Sequence, residues 1–514
     1  MDKFVRKHSD KIVGTLSCVD RIVFRGHLRP ICWPEGLEKF MRLRGLLVKD
    51  FKTFVAEQSE RIKQHAVKVA ERRGRPFEYL NSGKIRKEQK ARSIAQRDGI
   101  TRGLVCVFST LELCDTFAIA IGKNRPHIVS RRRKCLCIYF YLIDPTFGLM
   151  HVRLQSWVPF TIQICLNGHE WLARKMKRHN MDFRQLDNTF TRIADPKRAQ
   201  RFADKFQDLD WPRILGRFAQ RLNPLLHTLI PNMDYYWVTD QAEFATDIMF
   251  RRPSDLKNLY AKLLEHATLC FGAEDVMTFL GKRLNGVFKG EIVSEFKKRW
   301  PGARIKHRVK SNWIKMYDKH GLVLRVETVI NDPKDFRVRR KSIRNGKPLV
   351  AWRPMAKGVA NLYKYAEIAF RANQRYINAL AVIDDPSTAC QLLCQCTKPI
   401  RKGSRSFRGF NPAAEQDILV FSAVMRGEHT IRGFRNRDVR QLIFPVPINK
   451  GTERRQSAAV SRIFKRLHIH GLIAKVPRSR RWKITTKGQL FMSMAIKHHQ
   501  RFYPKTIQKL AACA

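Results

Sequence analysis

The sequence predicts an α+β protein of several domains. Mixed helix and strand fill the N-terminal and central segments, and the C-terminal domain is helical with a small hairpin. Three observations carry this expectation. Stretches with apolar residues every three or four positions alternate with short strand-like runs. A length of 514 residues exceeds one ordinary domain. Hydrophobic residues make up 44% and aromatic residues 10% of the chain, which is the composition of buried cores rather than of a disordered tail.

The N-terminal segment, residues 1–230, opens with a strand-like run from Leu16 to Arg25 and continues into amphipathic helices from Pro34 to about Arg73. Gly103 to Phe108, Lys134 to Asp144 and Leu149 to Trp157 read as strands. The last two flank Asp144-Pro145-Thr146-Phe147-Gly148, whose Asp-Pro and Gly mark a hairpin turn. A helix is expected from His169 to Arg178, and a helical region from Asp195 to Leu229 broken at Pro212 and Pro224. In the central segment, residues 231–396, Ser254 caps a helical pattern that continues to about Trp300, and a helix runs from Gly358 to Val382. Residues 397–411 are basic and rich in turn formers, as a linker would be. Residues 412–514 read as helices from Pro412 to Arg426, Asn436 to Phe444 and Glu453 to His468. Strands from Ile473 to Val476 and Arg481 to Thr485 follow, then a last helix from about Lys487.

Charge limits the partner. One hundred Lys and Arg against 44 Asp and Glu give a net charge of +56, and the self-repulsion of such a chain points to a polyanion. The longest clean apolar run, Leu136 to Ile143, is too short to span a bilayer, and the amino end carries no secretory signal. The expected partner is therefore DNA, with RNA as the alternative and no membrane. The expected location is the cytoplasm, on the nucleoid. The twelve cysteines lack the spacing of a secreted scaffold and read as reduced thiols. Neither the pair Cys135 and Cys137 nor the group Cys390, Cys394 and Cys396 has the C-x-x-C spacing of structural zinc, so they read as structural cysteines.

The C-terminal run AAVSRIFKRLHIHGLIAKVPRSRRWKITTKGQ resembles the recognition helix and wing of winged-helix proteins related to the MarR regulators, down to the closing Thr485-Thr486-Lys487-Gly488. Between Glu453 and Lys487 there are eleven Lys or Arg and one acid. Arg455, Ser461, Arg462, Lys465 and Arg466 form the polar side of the third helix, suited to base edges and phosphates, while Val460, Ile463, Phe464 and Leu467 face the core. Arg478, Arg480, Arg481 and Lys483 suit a wing against the backbone. His468 and His470 look like the His-x-His of rolling-circle nickases, but at a helix end they diverge by roughly 200 degrees. A homodimer is left open.

Residues 312–330 read as a hairpin around the loop Lys319-His320-Gly321, which pairs Lys315 with Arg325 and Asp318 with Leu322. Ile314, Met316, Leu322, Leu324 and Val326 then share an apolar face, and Lys315, Tyr317, Arg325 and Glu327 share the other. Tyr317-Asp318-Lys319 followed by Arg325-Val326-Glu327 resembles a pattern of plasmid and phage replication initiators. That resemblance implies Tyr317 as nucleophile and Glu327 as a metal-held acid; Lys315 and Arg325 are assigned to the nucleic acid. A plain hairpin with a surface ion pair is the alternative. In Asp234 to Asp247, a helix would place Asp240, Glu243 and Asp247 on one face, to hold Mg²⁺ or Mn²⁺ or to pair with arginines such as Arg251. Asp20, on its strand, is a candidate first acid of a transposase-type set.

Over its full length the chain resembles a widespread set of large, basic bacterial proteins that end in a MarR-like winged helix. The expected function is a DNA-binding protein of a mobile or replicative element, a candidate nickase or transposase using Mg²⁺ or Mn²⁺. The alternative is a winged-helix regulator or RNA-binding protein without a cofactor. For an enzyme, acids among Asp20, Asp240, Glu243, Asp247 and Glu327 must converge around a cation.

Overall fold

The structure, a computed structural model, describes residues 1–514 except 82–84, 123–125, 232, 283–287, 289, 299–301, 345–346, 382, 384–394, 413, 427–428, 430–432, 478, 497–498 and 500–514, and the side chains of 341, 342, 344 and 347. The chain is mixed helix and strand with a large sheet, and it divides into two compact units. One comprises Ser9–Leu256 and Ser311–Asn373; the other comprises Met1–His8, Lys257–Lys310 and Gln374–Ala514. No helix among the described residues is long and apolar enough to cross a membrane.

Nine strands of the first unit form one sheet: β1 (Ile12–His27), β2 (Phe77–Tyr79), β3 (Gly103–Ile121), β4 (Pro126–Asp144), β5 (Gly148–Gln155), β6 (Ile162–Asn167), β7 (Tyr236–Phe250), β8 (Asn312–Lys319) and β9 (Val323–Ile330). Their order is β8-β9-β7-β1-β6-β5-β4-β3-β2, and only the β2–β3 pair is parallel. The expected boundary between residues 230 and 231 does not divide this sheet, because β7 and β9 pair beside β1. Strands β3 and β4 extend well past the runs expected from sequence, and the 144–148 turn joins β4 to β5 as expected.

Two features aim side chains at the centre of the sheet. In the β1–β7 ladder, Val19 lies opposite Phe244 and Arg21 opposite Glu243, so Asp20 is the extra residue of a bulge. A bulge frees its residue from the regular alternation and turns the side chain. The helix Gly168–Arg178, capped by the Asn167 side chain, packs its first turn directly on β1. A Cβ at residue 168 would lie 2.1 Å from the Val19 carbonyl oxygen, so this approach requires glycine.

Several local expectations are corrected. Residues 236–250 form strand β7 rather than a helix, because Trp237, Val238, Thr239, Phe244, Thr246 and Ile248 fit a pleated, largely buried surface better than a helix turn. The pattern expected to stay helical to Trp300 ends earlier: helices Pro253–Leu269 and Ala273–Phe279 are followed by strands Ile292–Lys298 and Ala303–Val309. The hairpin pairs Lys315 with Glu327 and Tyr317 with Arg325, a slip of two residues from the expected register, with the loop at His320 to Leu322. A two-residue slip keeps each side chain on its face, so the expected division into apolar and polar faces stands. Gly321 takes the expected positive φ of 69°.

In the second unit, helices Glu415–Val424, Asn436–Ile443 and Lys450–Ile469 precede the hairpin Ile473–Lys475 and Trp482–Ile484, and a further helix covers 486–496. Phe421, Phe434, Val460, Phe464, Leu467 and Phe491 fill their common core. The Thr485 hydroxyl accepts from the Gly488 N–H at 3.0 Å, and a Cβ at residue 488 would lie 1.9 Å from the Leu472 carbonyl oxygen. The expected linker is not free chain. It holds the hairpin Ile400–Lys402 and Arg405–Phe407, and Phe410 enters the core.

Candidate active site

Three carboxylates meet on one face of the sheet, each from a different strand. Asp20 comes from the bulge of β1, Glu243 from β7 and Glu327 from β9; one oxygen of each lies within 4.8 Å of the others. Asp20 and Glu327 are buried and Glu243 is half-buried. Distance in sequence is bridged by strand adjacency, since β1, β7 and β9 are consecutive in the sheet.

The surrounding side chains hold the three acids differently. Asp20 accepts from the Asn188 amide and lies 3.2 Å from His169 Nδ1 and 3.4 Å from Arg325 Nη1. Burial alone would raise its carboxyl, but the Arg325 charge and His169 hold it well below the usual carboxylate range. Glu327 accepts from Lys315 Nζ at 2.7 Å on one oxygen and from the Tyr317 hydroxyl on the other. Glu243 makes no ion pair among the described residues and accepts from Gln241 at 3.1 Å. Burial pushes its carboxyl up to about 8, helped by the charges of Glu327 and Asp20 and opposed by Lys315 and Arg21.

Beside the triad, on the same face of β7 and β9, lies a buried ion pair. Arg325, with no exposed surface, donates to both oxygens of Asp247 at 2.6 and 2.7 Å and to the Asn188 carbonyl at 2.9 Å. Despite burial, Arg325 and His169 keep Asp247 low. A cavity of about 220 Å³ opens beside Asp20 and Glu243, lined by Arg21, Arg92, His151 and Asn167 among others. Arg21 pairs with Glu88 at 2.9 Å, and burial together with Arg21 lowers His151 to about 4.

All three members of the triad are among the five acids that the sequence offered for convergence around a cation, but the narrower set expected on one helix face is not the one that meets. Asp240, Glu243 and Asp247 do not form a common cation site: Asp240 pairs with Arg25 at 2.7 Å and with Gln163 at 3.0 Å, and Asp247 pairs with Arg325. An extended strand rises about 3.3 Å per residue, so β7 spreads along its length what a helix would have stacked. Tyr317, Arg325 and Glu327 share one face as expected. Arg325 is not available to nucleic acid because Asp247 and Asp20 enclose it, and Lys315 is engaged by Glu327. His169, Asn188, Arg21 and His151 escaped sequence reasoning. Arg21 and His151 enter through strand order, His169 through the packing of a helix on β1, and Asn188 from the turn between strands Phe183–Leu186 and Thr189–Ile193; no local spacing signals them.

The basic face of the second unit also divides. Arg455, Ser461, Arg462 and Lys465 are exposed on the helix Lys450–Ile469, and Arg480 and Lys483 are exposed at the hairpin. Arg466 is not free to face a ligand: it bonds Asp417 at 3.0 and 3.2 Å and stacks 3.8 Å over the Phe410 ring. Arg481 donates to the Gly433 carbonyl, and Arg478 lies outside the described residues. His468 and His470 contact two separate carbonyls, of Ile473 and Arg408.

The chain matches no protein-family model, no curated protein and no solved structure.

Proposed function

We propose that the protein is a divalent-cation-dependent enzyme that cleaves a phosphodiester of nucleic acid, with Asp20, Glu243 and Glu327 as the cation's ligands. The observation that carries this is the convergence of the three acids on adjacent strands. Carboxylate oxygens are the donors Mg²⁺ and Mn²⁺ prefer, and Glu243 has no ion pair of its own among the described residues. A bound cation would neutralise charge on the phosphate and activate water as nucleophile. Asp20 is oriented for this by Arg325, His169 and Asn188, while Lys315 and Tyr317 orient Glu327. The chain's +56 charge supplies the attraction for the polyanion.

The C-terminal region belongs to this reading as a winged helix that binds DNA. Its support is the order of helices and hairpin, with Arg455, Arg462 and Lys465 exposed on the third helix and Arg480 at the hairpin. A mobile or replicative element is the setting in which such a pair of activities is expected. One observation favours a second reading of the chemistry: the Tyr317 hydroxyl donates to Glu327, so tyrosine could attack in place of water. We place water first, because burial and the neighbouring Glu327 charge hold Tyr317 well above its ordinary range.

Supercoiled plasmid incubated with the full chain and Mg²⁺ or Mn²⁺ separates these readings. Hydrolysis predicts nicked or linear product that is lost in Glu327→Gln and retained in Tyr317→Phe. Tyrosine attack predicts a protein–DNA adduct that Tyr317→Phe abolishes. No cleavage under any divalent ion would leave a binding protein.

A further inference from the structure

A second cluster lies on the same face of the sheet, towards its other edge. Cys135 and Cys137, two residues apart, share one face of β4, and Cys114 reaches them from β3, where Glu112, two residues before it on the same strand, pairs with Cys135 across the ladder. The three sulfur atoms lie within 4.8 Å of one another, with 3.5 Å between Cys114 and Cys137, and all three residues are buried. We propose that Cys114, Cys135 and Cys137 form a three-thiolate site for a thiophilic divalent cation, Zn²⁺ in the first instance.

Three further observations support the assignment. Zn–S bonds of about 2.3 Å at tetrahedral angles require sulfurs about 3.8 Å apart, so closure of the observed triangle needs only small movements. Arg153 Nη2 lies 3.1 Å from Cys114 Sγ and 2.9 Å from Cys137 Sγ, the outer N–H donation that metal thiolates commonly receive. Arg153 is in turn fixed by Glu112 at 2.9 Å, which also accepts from Tyr139 at 2.6 Å and Lys87 at 3.1 Å. Charge balances as well: three thiolates, one dication, Arg153, Glu112 and Lys87 sum to zero.

The full chain, reduced and stripped of metal, is titrated with Co²⁺ and then Zn²⁺. The expected result is an intense sulfur-to-cobalt charge-transfer band that saturates at one equivalent, is displaced by Zn²⁺, and disappears in Cys114→Ser and Cys137→Ser but not in Cys270→Ser. X-ray absorption on the zinc-loaded wild-type chain keeps the test independent of how the variants fold, and three sulfur ligands are expected. Absence of the band in the reduced wild type, a band unchanged in both cluster variants, or a zinc shell without sulfur overturns the proposal. So does a Cys114–Cys137 disulfide that persists under reductant. None of these outcomes bears on the carboxylate site.

Discussion

At the scale of single residues, Glu243 is the most informative. Its folded value of about 8 stands above the ordinary glutamate value of 4.5, so the folded, cation-free chain holds this proton more tightly than the unfolded one. Its contribution to stability is therefore full below pH 4.5 and is lost as pH rises through about 8. Thermal unfolding without divalent ions should show stability declining towards pH 8, and Glu243→Gln should flatten that decline. Mg²⁺ must displace the same proton, so its affinity should rise with pH and level off above about 8. Arg325 is the complementary case. It is the buried counter-charge of Asp247 and Asp20, and Arg325→Gln should cost about 3–5 kcal/mol in denaturant unfolding, because removing one partner strands buried charge. Asp240→Asn serves as the control: its pair with Arg25 is partly exposed and worth only about 0–1 kcal/mol, and cation binding should be unaffected. The candidate acids were legible as residues, since Asp20, Glu243 and Glu327 each stand in a segment with its own signal. Their partnership was not legible, because it depends on β1, β7 and β9 being neighbours across some 300 positions of chain.

At the scale of elements, periodicity served well where one face of an element meets solvent. The helix Lys450–Ile469 and the hairpin after it fell close to their expected bounds, as did the β4–β5 turn at Asp144 to Gly148. It failed for β7, whose second half, from Phe244 to Phe250, is buried on both faces, and whose polar residues Asp240 and Asp247 take part in ion pairs. The same helix shows the limit of reading a polar stripe as a ligand face. Arg462 is exposed, whereas Arg466 ties the helix to Asp417 and to the carbonyls of Arg408 and Gly409. Arg462→Glu should accordingly weaken duplex DNA binding by the full chain and reduce the slope of log affinity against log salt by about 0.9 for each phosphate no longer neutralised. Its circular dichroism should be that of the wild type. Arg466→Glu should instead lower the melting temperature of the unit, since it sets a carboxylate against Asp417. If Arg462→Glu binds as tightly as wild type at all salt concentrations, this helix does not contact DNA.

At the scale of the whole molecule, the sequence predicted mixed α and β structure and a polyanionic partner, and the structure supplies the mixed class with its large sheet. It also shows why a linear division of the chain was bound to misplace residues. The first unit closes with residues 311–373, after the chain has already contributed 257–310 to the other unit. Strands from both sides of that excursion assemble the triad, so the site exists only when residues far apart in sequence have paired. The most direct test of the central claim is a crystal of the full chain grown with Mn²⁺ and measured for anomalous scattering at pH 8.5, above the Glu243 transition. A peak bounded by carboxylate oxygens of Asp20, Glu243 and Glu327, and absent in Glu243→Gln, is the predicted result. The account is contradicted by a triad that binds no Mn²⁺, with its acids left on Arg325, Lys315 and Tyr317 alone.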